Sequence, residues 1–372
     1  MDVVIVGAGM VGAACAYFCA RAGLTVTVVE RGSVAAGTTG AGEGNILLSD
    51  KELGPELELA LLSARLWREL ADEHGQAFEY EAKGGLVVAA NDRELTALRA
   101  LADEQAGHGV VTEHVDPATV EPHIAPGLAG GVYYPQDAQV QPMLAAAHLL
   151  RLSGARVLTD TVFLGVTGDD RITGVRTTAG LLPADAVVNA AGTWGGEVAE
   201  LAGVPLPILP RRGFVLVTEP LPIVVRHKVY AADYVADVAA DTAGLRTSPV
   251  IEGTKSGPIL IGASRERVGF DRTPSLPVLR SLAQGAVRLF PVLADVTALR
   301  AYTGFRPYCP DHLPVIGPDP RRPGLFHACG HEGAGIGLSP ATGALIAELL
   351  TGGAPSVDVA PFRPDRFAGV AA

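Results

Sequence analysis

The sequence predicts an α/β fold, α+β overall: a Rossmann-like domain with a second, mainly antiparallel β-sheet domain. Three observations carry this. A continuous apolar run, "DVVIVG", opens the chain and leads into a glycine-rich turn and a helix, as a strand buried on both faces of a parallel sheet does. The same texture returns at the far end, where "GLFHAC" (324–329) precedes "GHEGAGIGLSPATGALIAELL" (330–350). Between them, from Pro205 to about Arg300, strand-like pieces such as "GFVLVT" and "GPILIGASRERVGF" alternate with turn residues, the signature of an antiparallel sheet.

Residues 2–6 form the first strand, 7–12 a turn, 10–22 a helix ended by Gly23, and 24–29 a second strand ending at Glu30. Together they make a βαβ unit. Pro55 to Glu73 reads as an amphipathic helix with Leu59, Leu62, Leu66 and Leu70 on one stripe. A strand at 84–90 and a helix at 93–106 follow, then a helix from Pro142 to about Arg151. Short strands are expected at 155–158, 161–166, 171–178 and 186–190, and a helix at about 277–290. The Rossmann-like domain is therefore discontinuous, with residues 1–80, 143–212 and 300–372. The second domain takes 81–142 and 213–299.

Composition narrows the function classes. Apolar residues make up 48% of the 372 and charged residues 19%, enough to build a large core. The net charge of −11 and the absence of basic clusters argue against nucleic acid as a partner. No apolar run reaches membrane-spanning length, and the chain starts directly on a strand, so a cytoplasmic protein with no integral membrane segment is expected. The cysteines (Cys15, Cys19, Cys309, Cys329) and the histidines show no metal-ligand spacing, so no metal is expected.

"GAGMVG" places Gly7, Gly9 and Gly12 in GxGxxG spacing around Met10 and Val11. Gly7 permits the tight turn, Gly9 lets backbone approach a pyrophosphate, and Gly12 lets helix pack on strand. The helix N-terminus adds free N–H groups and a positive dipole end. Glu30, 18 residues on at the end of the second strand, suits ribose hydroxyls, and its charge repels a 2′-phosphate. NAD and FAD both fit. "RGSVAAGTTGAGEGN" (31–45) separates them: it is a long glycine- and threonine-rich loop where an NAD-type unit continues into a helix, and it suits wrapping a larger dinucleotide.

Four stretches together, "VVIVGAGMVGAACAYFCARAGLTVTVVERG", "VVNAAGTWGGEVAELAGVPLPILPRRG", "TGFRPYCPDHLPVIG" and "GHEGAGIGLSPATG", resemble the D-amino acid oxidase superfamily of flavoproteins. That group includes glycine and sarcosine oxidases and the β-subunits of opine and hydroxyproline dehydrogenases. "GEGN" and "DAQVQP" look closest to the opine and D-hydroxyproline dehydrogenase branch. The resemblance implies FAD on Gly7–Gly12, Glu30 and Arg31, with Thr38, Thr39, Glu43, Gly44 and Asn45 along the pyrophosphate, ribityl chain and flavin. Val162 would meet the adenine through its backbone, and Ala191, Gly192 and Trp194 would close over the dinucleotide. Some relatives attach flavin to a cysteine several residues before the "PD" of this region. Here that position is near Gly304 and Cys309 sits too close to Pro310-Asp311, so non-covalent FAD is expected.

The implied activity is oxidation of the C–N bond of an amine or amino acid, with oxygen or another electron acceptor as the final oxidant. Oxidation of a 2-hydroxy acid and service as a flavin-bearing subunit active only in a hetero-oligomer with other dehydrogenase subunits remain open alternatives. In "TGFRP" Arg306 is the expected carboxylate anchor, since a guanidinium matches a carboxylate bidentately. Tyr230, Tyr234 and His331 are further candidates for contact with substrate or its proton. Gly333, Gly335, Ile336, Gly337 and Leu338 should present N–H groups to flavin N1 and O2, ahead of a helix starting near Ser339.

Overall fold

The computed structural model describes residues 1–232 and 243–367. Tyr234 lies outside the described residues. A six-stranded sheet has the order Val315–Pro318, Leu325–Cys329, Ala186–Asn189, Asp2–Val6, Thr25–Val29, Arg156–Leu158. Its neighbours pair in parallel, apart from the outermost Val315–Pro318 strand, which runs antiparallel to Leu325–Cys329. Start, middle and end of the chain thus meet in one sheet.

The pleat sorts its side chains. Val3, Ile5, Val26 and Val28 join the main core beneath the helices Met10–Arg21, Pro142–Ser153 and Gly335–Thr351. Val4, Val6 and Val29 pack on the other face against Phe163, Val175 and Val198. Covering that face is a three-stranded antiparallel sheet of Phe163–Thr167, Gly174–Thr177 and Gly180–Pro183. The single strand expected at 171–178 is in fact one arm of a hairpin, which turns before Gly180 (φ +108°).

The second sheet has eight strands in the order Ala298–Tyr308, Leu209–Thr218, Ile259–Arg265, Arg246–Gly253, Lys228–Ala231, Gly85–Ala89, Gly130–Tyr134, Glu113–Val115. Pairing is antiparallel except between Lys228–Ala231 and Gly85–Ala89. The helix Leu276–Leu289 covers one face with Val278, Leu282 and Ala286. The other face enters the main core through Val87, Tyr134, Tyr230 and Val250. Leu209–Thr218 and Ala298–Tyr308 pair with each other along nearly their whole length, so chain positions 212 and 300 fall inside continuous strands.

The two helices that follow the glycine-rich turns pack on each other. A Cβ at Gly343 would lie 2.6 Å from the Ala14 carbonyl carbon, so glycine there sets how closely the second helix approaches the first. Among the described residues no helix is long and apolar enough to cross a membrane.

Candidate active site

A cleft of about 360 Å³ runs between the two sheets, lined by Val6 and Val29 from one and Val215 and Phe305 from the other. Both glycine-rich turns open onto it.

At the first turn, Gly7 has φ +111°, and a Cβ there would lie 2.5 Å from the Ala190 carbonyl oxygen. Gly9, Met10 and Val11 line the cleft. Gly12 does not: a Cβ there would fall 1.9 Å from the Gly7 carbonyl oxygen, so its role is to let helix pack on turn. Glu30 lines the cleft and braces the turn, its carboxylate accepting from the N–H groups of Ala8 and Gly32, each at 2.9 Å. Thr39 Oγ1 accepts from the Met10 N–H at 2.9 Å. The hydroxyls of Thr38 and Thr193 both donate to the Phe305 carbonyl at 2.6 Å, tying the loop to the eight-stranded sheet.

Arg31, Val162, Ala191, Gly192 and Trp194 line the same end of the cleft as Glu30 and Thr161. The Arg31 guanidinium lies 3.8 Å from the centre of the Trp194 ring, which stacks on Phe270 at 5.4 Å with an interplanar angle of 5°. The backbone of Val162 is already paired, its N–H donating to Thr178 Oγ1 and its carbonyl accepting from the Thr178 N–H, both at 3.0 Å.

At the second turn the helix begins at Gly335, capped by Ala334, four residues before the expected start. The first bond of the helix runs from the Leu338 N–H to the Ala334 carbonyl at 2.9 Å. The N–H groups of Gly335, Ile336 and Gly337 precede it, which is the geometry that favours negative charge. Gly333, Gly335 and Ile336 line the cleft. Gly337 and Leu338 do not: Gly337 packs against the backbone of Asn45 and Ile46, with a Cβ position 3.3 Å from the Asn45 carbonyl oxygen, and Leu338 is buried in the core.

His331 lines the cleft but is buried, with Nε2 2.9 Å from Thr342 Oγ1. Burial pushes its pKa down to about 3. Burial thus disfavours the charged ring, and Nε2 is committed to Thr342. Tyr230 does not line the cleft. It is fully buried in the sheet core and donates to Ser49 Oγ at 2.5 Å, and burial first, then the Asp50 and Asp137 charges, raise its phenol pKa.

Arg306 does reach the cleft, half-buried. Its Nη1 donates to the Ser264 carbonyl at 2.8 Å. Gly213 makes room for it, since a Cβ there would sit 2.3 Å from Nη1. Gly333 flanks it, with a Cβ position 3.6 Å from Nε.

Glu43 and Asn45 line the cleft floor. Gly44 between them faces the Ala138–Gln139 side instead, where a Cβ would lie 1.7 Å from the Val140 carbonyl oxygen. Beneath the floor lies a charged pair absent from the sequence-based candidates. Lys228 Nζ, 2.6 Å from Glu252 Oε2, also donates to Asn45 Oδ1 and lies 3.5 Å from Glu43 Oε2.

A family model described as FAD dependent oxidoreductase matches residues 2–349. The chain belongs to this family. It is 32% identical to hydrogen cyanide synthase subunit HcnC of Pseudomonas aeruginosa, over 98% of this chain and 96% of that one. It is 31% identical to glycine oxidase of Pseudomonas putida, over 99% of each chain. A crystal structure of L-proline dehydrogenase from P. horikoshii superposes with a TM-score of 0.90 at 25% identity, covering 99% and 97% of the two chains.

The residues fit the family's cofactor. The Gly7 and Gly12 positions leave no room for a Cβ, two helix N-termini face one cleft, and Glu30 lines it at the first turn. Those features favour a dinucleotide phosphate at one end and a polarised ring edge at the other. The four described thiols of this oxidoreductase are buried and unpaired, and none lines the cleft. Burial raises the Cys309 pKa, and the sulfur accepts from Arg366 Nη2 at 3.7 Å.

Proposed function

We propose that this oxidoreductase oxidises the C–N bond of an amine or amino acid bound with its carboxylate on Arg306. The observation that carries the reading is the guanidinium itself, held between Gly213 and Gly333 on the cleft wall beside the second glycine turn. FAD bound along the cleft supplies the hydride acceptor for the carbon next to nitrogen, leaving an imine that water hydrolyses. The chain's own part is positioning and electrostatics. Gly7 to Val11, with Glu30 and Thr39, hold the dinucleotide. Gly335 and Ile336 present N–H groups and a positive helix end to negative charge. Arg306 orients the carboxylate and with it the C–H bond.

The finer reading follows the same residues. FAD is held without a covalent bond, since Cys309 packs with Ile208 and Cys329 away from the cleft lining. "GEGN" and "DAQVQP" support a kinship with the opine and D-hydroxyproline dehydrogenases. Assembly with other dehydrogenase subunits belongs to this reading, because a relative along the whole chain is itself named a subunit. Buried, unpaired thiols suit the cytoplasm. A Rossmann-like FAD domain and a substrate-binding sheet domain divide the labour.

Anaerobic bleaching of the flavin tests the activity. Proline, hydroxyproline, glycine, sarcosine, D-amino acids and opines are compared with 2-hydroxy acids. Reduction by at least one amine and by no hydroxy acid is expected; reduction by hydroxy acids alone overturns the reading. Acid precipitation should leave the flavin in the supernatant.

A further inference from the structure

Among the described residues, Glu43 Oε1 is a buried side-chain oxygen of the cleft lining with no hydrogen-bond partner. The side chain is only 7% exposed. A buried acceptor left unmet is destabilising, so it is retained where something else meets it. Its other oxygen is fixed, accepting from Asn45 Nδ2 at 3.2 Å and lying 3.5 Å from Lys228 Nζ. Lys228 in turn is engaged by Glu252 at 2.6 Å and is 2% exposed. The next cation, Lys83, donates to the Gly253 carbonyl at 2.5 Å and lies 3.8 Å from Glu81. Lys228 is therefore shared between Glu43 and Glu252, and Oε1 of Glu43 has no donor of its own among the described residues.

The position of Oε1 says which donor. It sits over Gly262, where a Cβ would come within 2.6 Å of it. Arg306 Nη1 is anchored on the carbonyl of Ser264, two residues along the same Ile259–Arg265 strand. Two residues span at most about 7 Å of chain. The Arg306 anchor and the Glu43 oxygen thus meet the same strand two residues apart, close enough for the carboxylate and the amine of a single α-amino or α-imino acid to reach both.

We propose that Glu43 is the specificity-determining acceptor for the substrate's amine: Oε1 takes an N–H of an amino or imino acid whose carboxylate lies on Arg306. This rests on the C–N oxidation reading and narrows its substrate class to zwitterions carrying at least one N–H. Asn45 and Lys228 are positioning residues that hold the second oxygen and aim the first.

The FAD-loaded protein is titrated with two unreactive, near-isosteric carboxylates, pyrrole-2-carboxylate and furan-2-carboxylate, binding being read from the flavin absorption spectrum. Only the first carries an N–H. Tighter binding of the pyrrole acid by about tenfold or more is expected, from one hydrogen bond to a charged group. In Glu43→Gln that ratio should fall at least threefold, with furan-2-carboxylate affinity changed less than twofold. For an amine substrate, the same variant should raise KM more than it lowers kcat. Equal binding of the two acids by the unaltered protein overturns the proposal even if the variant fails to fold, and so does an unchanged ratio in a folded variant. If no amine bleaches the flavin while the tenfold ratio holds, it is the C–N oxidation reading that fails.

Discussion

The two glycine-rich turns look alike in sequence but are finished differently. At the first, polar side chains close the loop: Glu30 accepts two backbone N–H groups and Thr39 a third. At the second, the buried His331 of the turn bonds Thr342 of the following helix, and the first-turn N–H groups receive no such side chain among the described bonds. The first turn is a braced cradle with its own acid. The second is a bare helix end whose positive dipole is kept for whatever lies in the cleft. A glycine-rich turn before a helix thus specifies close backbone approach, and the side chains around it decide the charge of what approaches.

The sharpest way to break this contrast is substitution of the glycines. Gly12→Val puts its Cβ 1.9 Å from the Gly7 carbonyl oxygen, whereas Gly335→Ala comes no closer than 3.4 Å to the His331 Cβ and 3.9 Å to Val11 Cγ2. The first should abolish FAD retention and lower Tm by ten degrees or more; the second should keep both near normal. Flavin content and thermal unfolding measure this, and equal losses at the two sites would remove the distinction. Next is Glu30→Ala. Loss of a charged acceptor for two N–H groups, at about 1.5–3 kcal/mol per such bond, should weaken FAD binding by at least tenfold in fluorescence titration of the apoprotein. A comparable loss for a substitution at His331 would contradict its different place in the comparison.

The smallest effect concerns pH. His331 has a folded pKa of about 3, below the ordinary 6.5, because of burial. A depressed pKa contributes stability that is fully present above 6.5 and is lost as pH falls toward 3, at up to about 1.4 kcal/mol per unit. Tm of the unaltered protein should therefore fall more steeply between pH 6.5 and 4 than Tm of His331→Gln. Parallel curves would show that the ring does not stay neutral.

What was legible in the sequence was local. The βαβ unit, both glycine turns, Glu30 and Trp194 announce themselves within short windows, because backbone approach and strand burial leave short-range patterns. Arg306 was legible through its motif. Tyr230 was misplaced because an alternating strand shows two faces without saying which one a long-range partner covers. Only the pairing of Lys228–Ala231 with Gly85–Ala89 turns it inward. The Lys228–Glu252 pair was invisible for the same reason, since its neighbours Glu43 and Asn45 arrive from a loop nearly 200 residues earlier. A helix starting at Ser339 would leave Gly337 and Leu338 in the turn at the cleft. The helix already includes them from Gly335, with Gly337 against the Asn45–Ile46 backbone and Leu338 in the core.

The seam between Ala14 and Gly343 also has a meaning in time. During synthesis at about 5–20 residues per second, the first helix is made on the order of 15–60 s before the second. Over that interval "GAACA" (12–16) waits without the helix that will cover it. Its side chains are small, so the uncovered face offers little for a stray partner to grip. The close fit that brings two helix ends to one cleft also leaves the half-made chain with a poor surface for aggregation.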